Sequence, residues 1–467
     1  MNTNIIVMAL YFLITLTVGV YFGRKKTGKS ADFTVGGRAL GGMIIFFTML
    51  ATIVGASSVM GYSNWFARRG LSQFWFTIGI TITNLLYLFY LGPRINEFGR
   101  KHGGETIGDW FLFRYGTVSK YLASLLIAAA YIAITAFQYL AMATILNITT
   151  GIPFTIALVL TAAIVVIYTS LGGLWAVVST DILQGFMTLL GVFIMVPLFL
   201  SKAGGWTAVL NAQPAGHLGW FSNVSPWNAF ASMLTLGLGI VSWPDIWQRM
   251  YAAKNIGVLK KSYAAYIAAG LLITVSTMFI GFTSHVLLPS FEGSANAMLP
   301  TLILQQLPNV LGAVLLAALI AVIMGTADSV LLVSAVIIEK DIISPFLNKN
   351  RTDKQKLILT KIVTAVTGVA VLGVLFFSTD MFDLWVKSAD ITGATLAVPI
   401  LLGFVWKRPG EWAVLASIIF GFGGWLLFTL VKFPVAISPI LPGAALSLAA
   451  YVIAAFLAPA KPVYVRN

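Results

Sequence analysis

Cysteine is absent from this sequence, and histidine and charged residues are scarce. Without cysteine, the chain forms no disulfide, has no thiol nucleophile and offers no thiolate to a metal. The three histidines, at positions 102, 217 and 285, lie too far apart in sequence to show a metal-ligand spacing. Only 9% of the 467 residues are charged, whereas an average soluble protein has about 25%. The composition therefore excludes a water-soluble surface for a chain of this length.

Long apolar segments fill most of the chain. Hydrophobic residues make up 59% of it, and the mean hydropathy is +0.92. A helix needs about 20 apolar residues to cross a bilayer, and thirteen such segments follow one another. We therefore predict an all-α polytopic membrane protein with 13 transmembrane helices, called spans 1 to 13 below. Their predicted bounds are 4–23, 43–61, 74–90, 121–146, 153–170, 182–200, 227–243, 263–288, 307–338, 357–377, 384–406, 412–431 and 437–457.

The distribution of basic residues predicts the orientation of the chain. There are 29 Lys and Arg against 15 Asp and Glu, which gives a net charge of +14. Cytoplasmic loops carry an excess of Lys and Arg, and most basic residues fall in loops on one side of the predicted spans. The opposite side holds five of them: Arg68, Arg69, Lys202, Lys387 and Lys432. We expect a plasma (inner) membrane protein with its N-terminus outside, its C-terminus in the cytoplasm and no nucleic-acid partner.

Two predicted spans contain segments that hold a helix poorly. Span 2 contains the run VGASS at 54–58, and span 7 contains LGLG at 236–239 followed by SWPD at 242–245. Proline removes a backbone donor and disrupts the preceding turn. The two weak points lie five spans apart, as expected if spans 2–6 and 7–11 are inverted repeats. Transporters place ion sites at such paired breaks because unwound carbonyls bind cations there. Packing motifs are the alternative interpretation.

Two aspartates lie where a charge is expensive. An ionisable group within a membrane helix costs about 2.5–3.5 kcal/mol on insertion scales and marks a functional site by default. Asp181 opens span 6, where an acid near a helix N-terminus is also favoured by the helix dipole. Asp328 lies in the middle of span 9, beside a stripe formed by Val322, Gly325, Thr326 and Ser329. Carbonyl, hydroxyl and carboxylate oxygens suit a hard cation such as Na⁺; a paired structural aspartate is the alternative.

Span 4 carries a polar stripe of Tyr131, Thr135 and Gln138, which lines a solute pathway or makes ordinary interhelical hydrogen bonds. The positive end of a half-helix attracts carboxylates, which favours an amino acid or small carboxylate as solute. A choline-like quaternary amine is the alternative, favoured by an indole near the second break. The candidate solute contacts are Ser57, Ser58, Tyr131, Gln138, Trp243 and Asp245.

Three motifs resemble the sodium/solute symporter family, whose members transport sugars, proline, pantothenate, sialic acid, choline and monocarboxylates. Residues 172–187 read GGLWAVVSTDILQGFM and resemble the family's long signature around span 6 nearly throughout. Residues 32–38, DFTVGGR, resemble its first cytoplasmic motif, and residues 403–408, GFVWKR, resemble its span 11 ending. The similarity thus runs from span 1 to at least span 12.

The resemblance implies an inverted-repeat (5+5) transporter core with discontinuous spans 2 and 7. It implies an extra N-terminal helix and a cytoplasmic loop at 1–42, and a first five-helix repeat at 43–200. A second repeat would occupy 227–406, and two C-terminal helices with a short tail would occupy 407–467.

The resemblance also implies a main Na⁺ site between spans 2 and 9. Carried over by position, its ligands are the carbonyls of Ala56, Val59 and Val322 and the hydroxyl of Thr326. The family usually has a hydroxyl residue where this chain has Gly325, so one side-chain ligand is missing.

In members with a second Na⁺ site, the positions that match Asp181, Asp328 and Ser329 contribute to it. Choline-type members show a similar Ala-Asp-Ser run, and Asp328 offers an oxygen that compensates for the missing hydroxyl. Whether one ion or two bind is open at this point.

The expected function is Na⁺-coupled symport of a small organic solute by alternating access, with Na⁺ as the coupling ion and without enzymatic activity. The expected partners are the solute and the lipid bilayer, with no obligate protein partner. Three alternatives remain: proton coupling on the same fold, a channel, and an intramembrane enzyme with Asp181 and Asp328 as its acid pair. No filter-like repeat supports the channel, and no nucleophile or metal motif supports the enzyme.

Overall fold

The computed structural model describes residues 3–221, 224–289, 291, 297–348, 350–375, 381–431 and 438–458. These residues form helices and connecting loops and no β-strand, and one isolated bridge joins Leu40 to Ala253. The all-α prediction is confirmed. The predicted end of span 10, the start of span 13 and the C-terminal tail lie outside the described residues.

The helices are labelled α1 to α19 in chain order. The first ten are α1 Thr3–Lys26, α2 Ser30–Val35, α3 Gly42–Ile53, α4 Tyr62–Arg69, α5 Phe74–Leu86, α6 Gly92–His102, α7 Ile107–Arg114, α8 Thr117–Thr150, α9 Phe154–Lys202 and α10 Trp206–Asn211. The remaining nine are α11 Pro226–Val241, α12 Pro244–Ala252, α13 Ile256–Leu287, α14 Met298–Gln306, α15 Asn309–Ile337, α16 Asp353–Val374, α17 Met381–Val405, α18 Glu411–Leu430 and α19 Ile440–Leu457. A π-helical turn at Ser57–Gly61 leads into α4. Two further π-helical turns, Tyr87–Leu91 and Ile338–Ile343, directly follow α5 and α15.

Ten helical segments in the described residues are long and apolar enough to cross a membrane, or eleven if α11 and α12 form one bent span. The number thirteen therefore stays a prediction. One cause of the difference is α9, whose 49 residues would extend about 74 Å at 1.5 Å per residue. That is more than twice the thickness of a hydrocarbon core, which is about 30 Å.

Gly173 interrupts α9 near the middle. Its φ of +56° and ψ of −145° are not helical, so the two halves of α9 correspond to predicted spans 5 and 6. A side chain at this position would be strained, and its Cβ would lie 2.4 Å from the ring of Phe33. Glycine is thus required here both by the turn and by the packing of α2 against it.

The predicted interruption of span 2 is confirmed. Helix α3 ends at Ile53, Val54 has φ −88° and ψ +88°, and the π-helical turn begins at Ser57. Proline plays no part in this break, which depends on the small residues between the two segments. Helix α4 then continues the chain to the far end of the span.

The predicted interruption of span 7 is also confirmed, but the span continues further than expected. Helices α11 and α12 meet at a bend of 44°, where Trp243 is extended and Pro244 occupies the first position of α12. Because α12 runs on to Ala252, Arg249 lies inside a helix and is fully buried. The predicted bounds ended span 7 at residue 243 and so placed Arg249 in the cytoplasmic loop that follows the span. This placement is wrong.

Helix α15 lies at the centre of the molecule. Within its apolar window 83% of the residues are buried by other parts of the protein, against 22% for α1. Helix α15 packs against α9, α8, α1, α16 and α3. Asp328, about two-thirds of the way along α15, is therefore enclosed by protein and does not face lipid.

Candidate functional site

The first break and α15 meet at Gly55 and Thr326. A Cβ built on Gly55 would lie 2.4 Å from Oγ1 of Thr326, so the backbone of the break passes directly over this hydroxyl. The same hydroxyl donates to the carbonyl of Ala51 in the last turns of α3, at 3.2 Å. The break thus places peptide oxygens and one hydroxyl together, and such oxygens are the ligands that hard cations take.

Beside this contact lies a small cavity. Its lining includes five of the six predicted solute contacts together with Thr326 of the predicted ion site; the full set is Thr52, Ile53, Ser57, Tyr131, Ile134, Gln138, Trp243, Asp245, Thr326, Val330 and Trp385. About 20 Å³ of it admits the centre of a water-sized sphere, which is room for roughly one water molecule. A solute larger than water requires the walls to separate.

Two hydrogen bonds join the polar stripe of α8 to the two breaks. The hydroxyl of Tyr131 donates to Oδ1 of Asp245 at 2.6 Å. The amide oxygen of Gln138 accepts from the backbone N–H of Ala56 at 3.3 Å. The stripe therefore contacts both breaks, whereas Thr135, its third member, donates to the carbonyl of Tyr131 within its own helix.

Ser58 lies apart from the other solute candidates. Its hydroxyl donates to the carbonyl of Ile53 at 3.3 Å, across the break. It lines a second cavity, formed by α5 and α13, whose polar side chains include Asn84 and Thr274. Ser57 and Ser58 therefore face different spaces, because consecutive residues of a helical turn point in different directions.

A buried ionic cluster joins Asp181, Ser329 and Arg249. Nη2 of Arg249 donates to Oγ of Ser329 at 2.6 Å and lies 3.7 Å from Oδ2 of Asp181. Nε donates to Oγ1 of Thr48 at 3.2 Å, and Thr48 donates to Oδ2 of Asp181 at 2.5 Å. Arg249 and Asp181 are each fully buried, so their charges are stabilised by these partners and not by water.

Asp328 completes the cluster from the other side of α15. The hydroxyl of Tyr168 donates to Oδ2 of Asp328 at 2.5 Å. Oδ1 of Asp328, Oδ1 of Asp181 and Oε1 of Gln184 are buried and accept no hydrogen bond from the protein. The cluster has two carboxyl groups against one arginine, and the free oxygens are places where a cation or a proton would bind.

Thr52 connects the cluster to the cavity. It lines the cavity, and its Oγ1 lies 2.9 Å from Oγ of Ser329, which is bound to Arg249. One hydroxyl pair thus lies between the cavity and the charged groups.

The sequence reasoning missed Arg249, Thr48 and Thr52. Arg249 could have been found from its position four residues after Asp245, which places both side chains on the same face of a helix. That interpretation holds only if the helix continues beyond Pro244. Thr48 and Thr52 are one turn apart on α3, one turn before the break, and nothing local distinguishes them from other helix threonines.

The basic-rich end of α15 is held by a separate buried network. Asp341, in the turn that follows α15, accepts from Thr106 Oγ1 and Ser124 Oγ at 2.9 Å each and pairs with Lys120 at 2.9 Å. The network ties α15 to α7 and α8.

Known proteins match this chain over almost its full length. The family model described as "Sodium:solute symporter family" matches residues 33–421. The sodium/pantothenate symporter of Haemophilus influenzae is 27% identical over 92% of this chain and 91% of its own length. The osmoregulated proline transporter of Bacillus subtilis is 27% identical over 98% and 96%, and the sodium/proline symporter of Staphylococcus aureus strain COL is 26% identical over 86% and 81%.

Solved structures match the fold. A Na⁺-coupled sialic acid symporter in a substrate-bound, outward-open state superposes with a TM-score of 0.86 at 22% identity, covering 99% of each chain. A nucleobase-cation-symport-1 family transporter gives a TM-score of 0.60 at 15% identity, covering 92% of this chain and 95% of that one. These neighbours have the inverted-repeat transporter fold, and the relatives named above are transporters, not enzymes. The chain is a sodium-coupled membrane transporter that belongs to the sodium:solute symporter family.

Proposed function

We propose that this protein imports a small organic solute, with an amino acid favoured, by coupling its entry to Na⁺. The observation that carries the proposal is the meeting of the first break with Thr326 beside a cavity that contains Ser57, Gln138 and Asp245. Ion and solute would bind in contact with the same interrupted helix. The matching relatives named as proline and pantothenate symporters support a small solute of this kind.

The proposed ion site uses the carbonyls of Ala56, Val59 and Val322 and the hydroxyl of Thr326. Thr326 lies against Gly55 and already bonds to a carbonyl of α3, so the donor set suits a hard cation. Na⁺ bound there would hold the first break against α15 and complete one wall of the cavity. Coupling follows if this ion-bound state binds solute better than the empty state, since a ligand shifts only an equilibrium between states that it binds differently.

The driving force comes from the membrane potential and the Na⁺ gradient. One positive charge moving inward gains about 2.3 kcal/mol per 100 mV. A solute carried with the ion is then concentrated against its own gradient.

Asp181, Asp328 and Ser329 are proposed as a second ion or coupling site. Their cluster has two carboxyl groups against one arginine, and two of the carboxyl oxygens accept no hydrogen bond from the protein. With both carboxyls ionised, the cluster would carry one net negative charge, which a second Na⁺ would neutralise. A proton on Asp328 would do the same in a proton-coupled variant. The number of ions per solute distinguishes these cases.

The repeat boundaries and orientation are part of the proposal. The repeats would occupy 43–200 and 227–406, preceded by 1–42 and followed by 407–467, with the N-terminus outside and the C-terminus in the cytoplasm. The excess of basic residues at one end supports this orientation. Accessibility of cysteines introduced one at a time into the cysteine-free chain tests it directly.

Uptake by purified protein in lipid vesicles tests the function. The vesicles receive an inward Na⁺ gradient and an inside-negative potential, and labelled amino acids, monocarboxylates and choline are supplied outside. We expect at least one amino acid to accumulate and its uptake to collapse when K⁺ replaces Na⁺ at constant pH. Undiminished uptake in K⁺ removes Na⁺ coupling, and an imposed proton gradient then tests the proton-driven alternative. Currents without solute would instead support a channel.

A further inference from the structure

The charge of the solute cavity comes from one side chain. Among the described residues that line it, Asp245 is the one ionisable acid and no Lys or Arg is present. Asp245 is 2% exposed, so water does little to screen its carboxylate. Arg249, one turn further along α12, is directed to Thr48, Gln248 and Ser329. A solute entering the cavity therefore meets one carboxyl group and no basic side chain among these lining residues.

Asp245 is positioned with spare capacity to accept hydrogen bonds. The hydroxyl of Tyr131 donates to its Oδ1, and the backbone N–H groups of Asp245 and Ile246 also interact with its carboxyl group. A carboxylate has two oxygens and about four lone-pair positions, so these bonds still leave room for one further donor. An ammonium group is the natural one, because its charge and its N–H donors both match the carboxylate.

The aromatic walls of the cavity suit the same group. Trp243 and Trp385 both line it, next to Tyr131. Indole faces attract organic cations, whether or not their nitrogen carries hydrogens. By contrast, a solute that has only a carboxylate would place its charge near that of Asp245 with no basic side chain in the lining to compensate it.

We propose that Asp245 selects solutes with a positively charged nitrogen, so that amino acids and related ammonium compounds are transported and simple carboxylates are not. The inference rests on the proposed symport function, whose solute class it specifies. The competing interpretation is that Asp245 only stabilises α12, because an acid in the first turn of a helix is favoured by the helix dipole. Capping alone predicts no preference for nitrogen.

Matched probe compounds separate the two interpretations. L-proline is compared with cyclopentanecarboxylate, which keeps the ring and the acid, and with pyrrolidine, which keeps the ring and the nitrogen. L-alanine, propionate and ethylamine form a second set, and choline and glycine betaine represent quaternary nitrogen. Uptake into vesicles is measured by mass spectrometry, and uptake into protein-free vesicles is subtracted.

For the unsubstituted protein we expect uptake of nitrogen-bearing compounds at a kcat/KM at least 100-fold above that of the matched carboxylates. Two results overturn the proposal: a carboxylate transported as well as its nitrogen-bearing partner, or no transport of any nitrogen-bearing compound. Na⁺ coupling is measured separately, by replacing Na⁺ with K⁺. If K⁺ supports the same uptake, the proposed function fails, while the preference for nitrogen is still measured.

Substitution of Asp245 identifies the group responsible. Asp245→Asn is expected to reduce the 100-fold preference to less than tenfold, mainly through KM for the nitrogen-bearing probes. Asp245→Glu is expected to keep the preference, since it keeps the charge. Glu97→Gln is the matched control, because Glu97 is a surface acid that pairs with Lys101. If Asp245→Asn elutes as folded protein and keeps the full preference, Asp245 is a capping residue and the proposal is wrong.

Discussion

The two interrupted helices differ in what breaks them and in what they present to the centre of the protein. The first break lacks proline and relies on Gly55, which lies against Thr326. The second has Pro244 at the start of α12, with Asp245 and Arg249 in the turns that follow. One break offers neutral peptide oxygens, and the other offers charged side chains.

Under the proposed function, this difference gives the two breaks different tasks. Neutral carbonyls lose little when an ion leaves, because they can return to hydrogen bonds within the protein or with water. Buried charges are costly without a partner, so Arg249 must remain bound to Asp181 and its neighbours throughout. The first break is therefore suited to reversible ion binding, and the second supplies a permanent electrostatic environment.

The largest effect is expected from removing the charge that the second break supplies. Arg249→Met leaves Asp181 buried without its ion-pair partner, and losing one partner of a buried ion pair costs about 3–5 kcal/mol. We expect a strongly lowered thermal midpoint of the detergent-purified protein. Adding Asp181→Asn should recover part of the loss, and Lys101→Met on the surface should have no measurable effect. A stable Arg249→Met protein would mean that the pair is not needed.

A smaller effect is expected at the first break, where Gly55→Ala tests its packing. The added methyl would lie 2.4 Å from Oγ1 and 2.9 Å from Cβ of Thr326, and overpacking costs about 1–3 kcal/mol. We expect the Na⁺ concentration for half-maximal uptake to rise by about tenfold or more. Gly423→Ala is the control, because Gly423 is exposed and its Cβ would meet nothing within 4 Å. An unchanged Na⁺ dependence would show that the first break takes no part in ion binding.

Thr326→Ala is expected to act in the same direction with a smaller magnitude. It removes one of the several oxygen ligands of the proposed Na⁺ site. If this ligand contributes as much as one hydrogen bond, the free energy of Na⁺ binding weakens by about 1 kcal/mol. The Na⁺ requirement should rise about fivefold, while solute affinity at saturating Na⁺ changes little. Ser334→Ala on the same helix removes a hydroxyl that bonds only to carbonyls of its own helix and should leave the Na⁺ dependence unaltered. Equal effects of both substitutions would argue against an ion at Thr326.

The smallest effect is expected from Pro244→Ala. Proline at the first position of a helix replaces an N–H that has no partner in the helix, so alanine fits the same backbone. The free energy of unfolding should fall by about 0.4–1 kcal/mol, because alanine gives the unfolded chain more backbone freedom than proline does. The uptake rate should stay within about threefold of that of the unsubstituted protein. Pro226→Ala, at the first position of α11, is the matched control. If Pro244→Ala abolishes transport, the second break depends on its proline as the first depends on its glycine.

The positions of both breaks could be predicted because their causes are local. Glycine, serine and proline disfavour regular helix whatever surrounds them, and the run at 54–58 and Pro244 carry that information in the sequence. The same holds for Asp328, which is conspicuous because charge is rare in apolar spans. The end of span 7 was placed too early because a proline that starts a helix looks, in sequence, like one that ends it.

Amino-acid composition and order by themselves determined that this is a helical membrane protein, where two of its helices are interrupted and that Asp328 lies within an apolar helix. The tertiary structure alone decided that Arg249 faces Asp181, that Thr52 meets Ser329 277 positions away, and that Ser57 and Ser58 line separate cavities. The physical reason is the sequence distance over which each kind of interaction acts. Helix formation and burial in lipid follow from neighbouring residues, whereas ion pairs and cavities arise only when distant helices pack together.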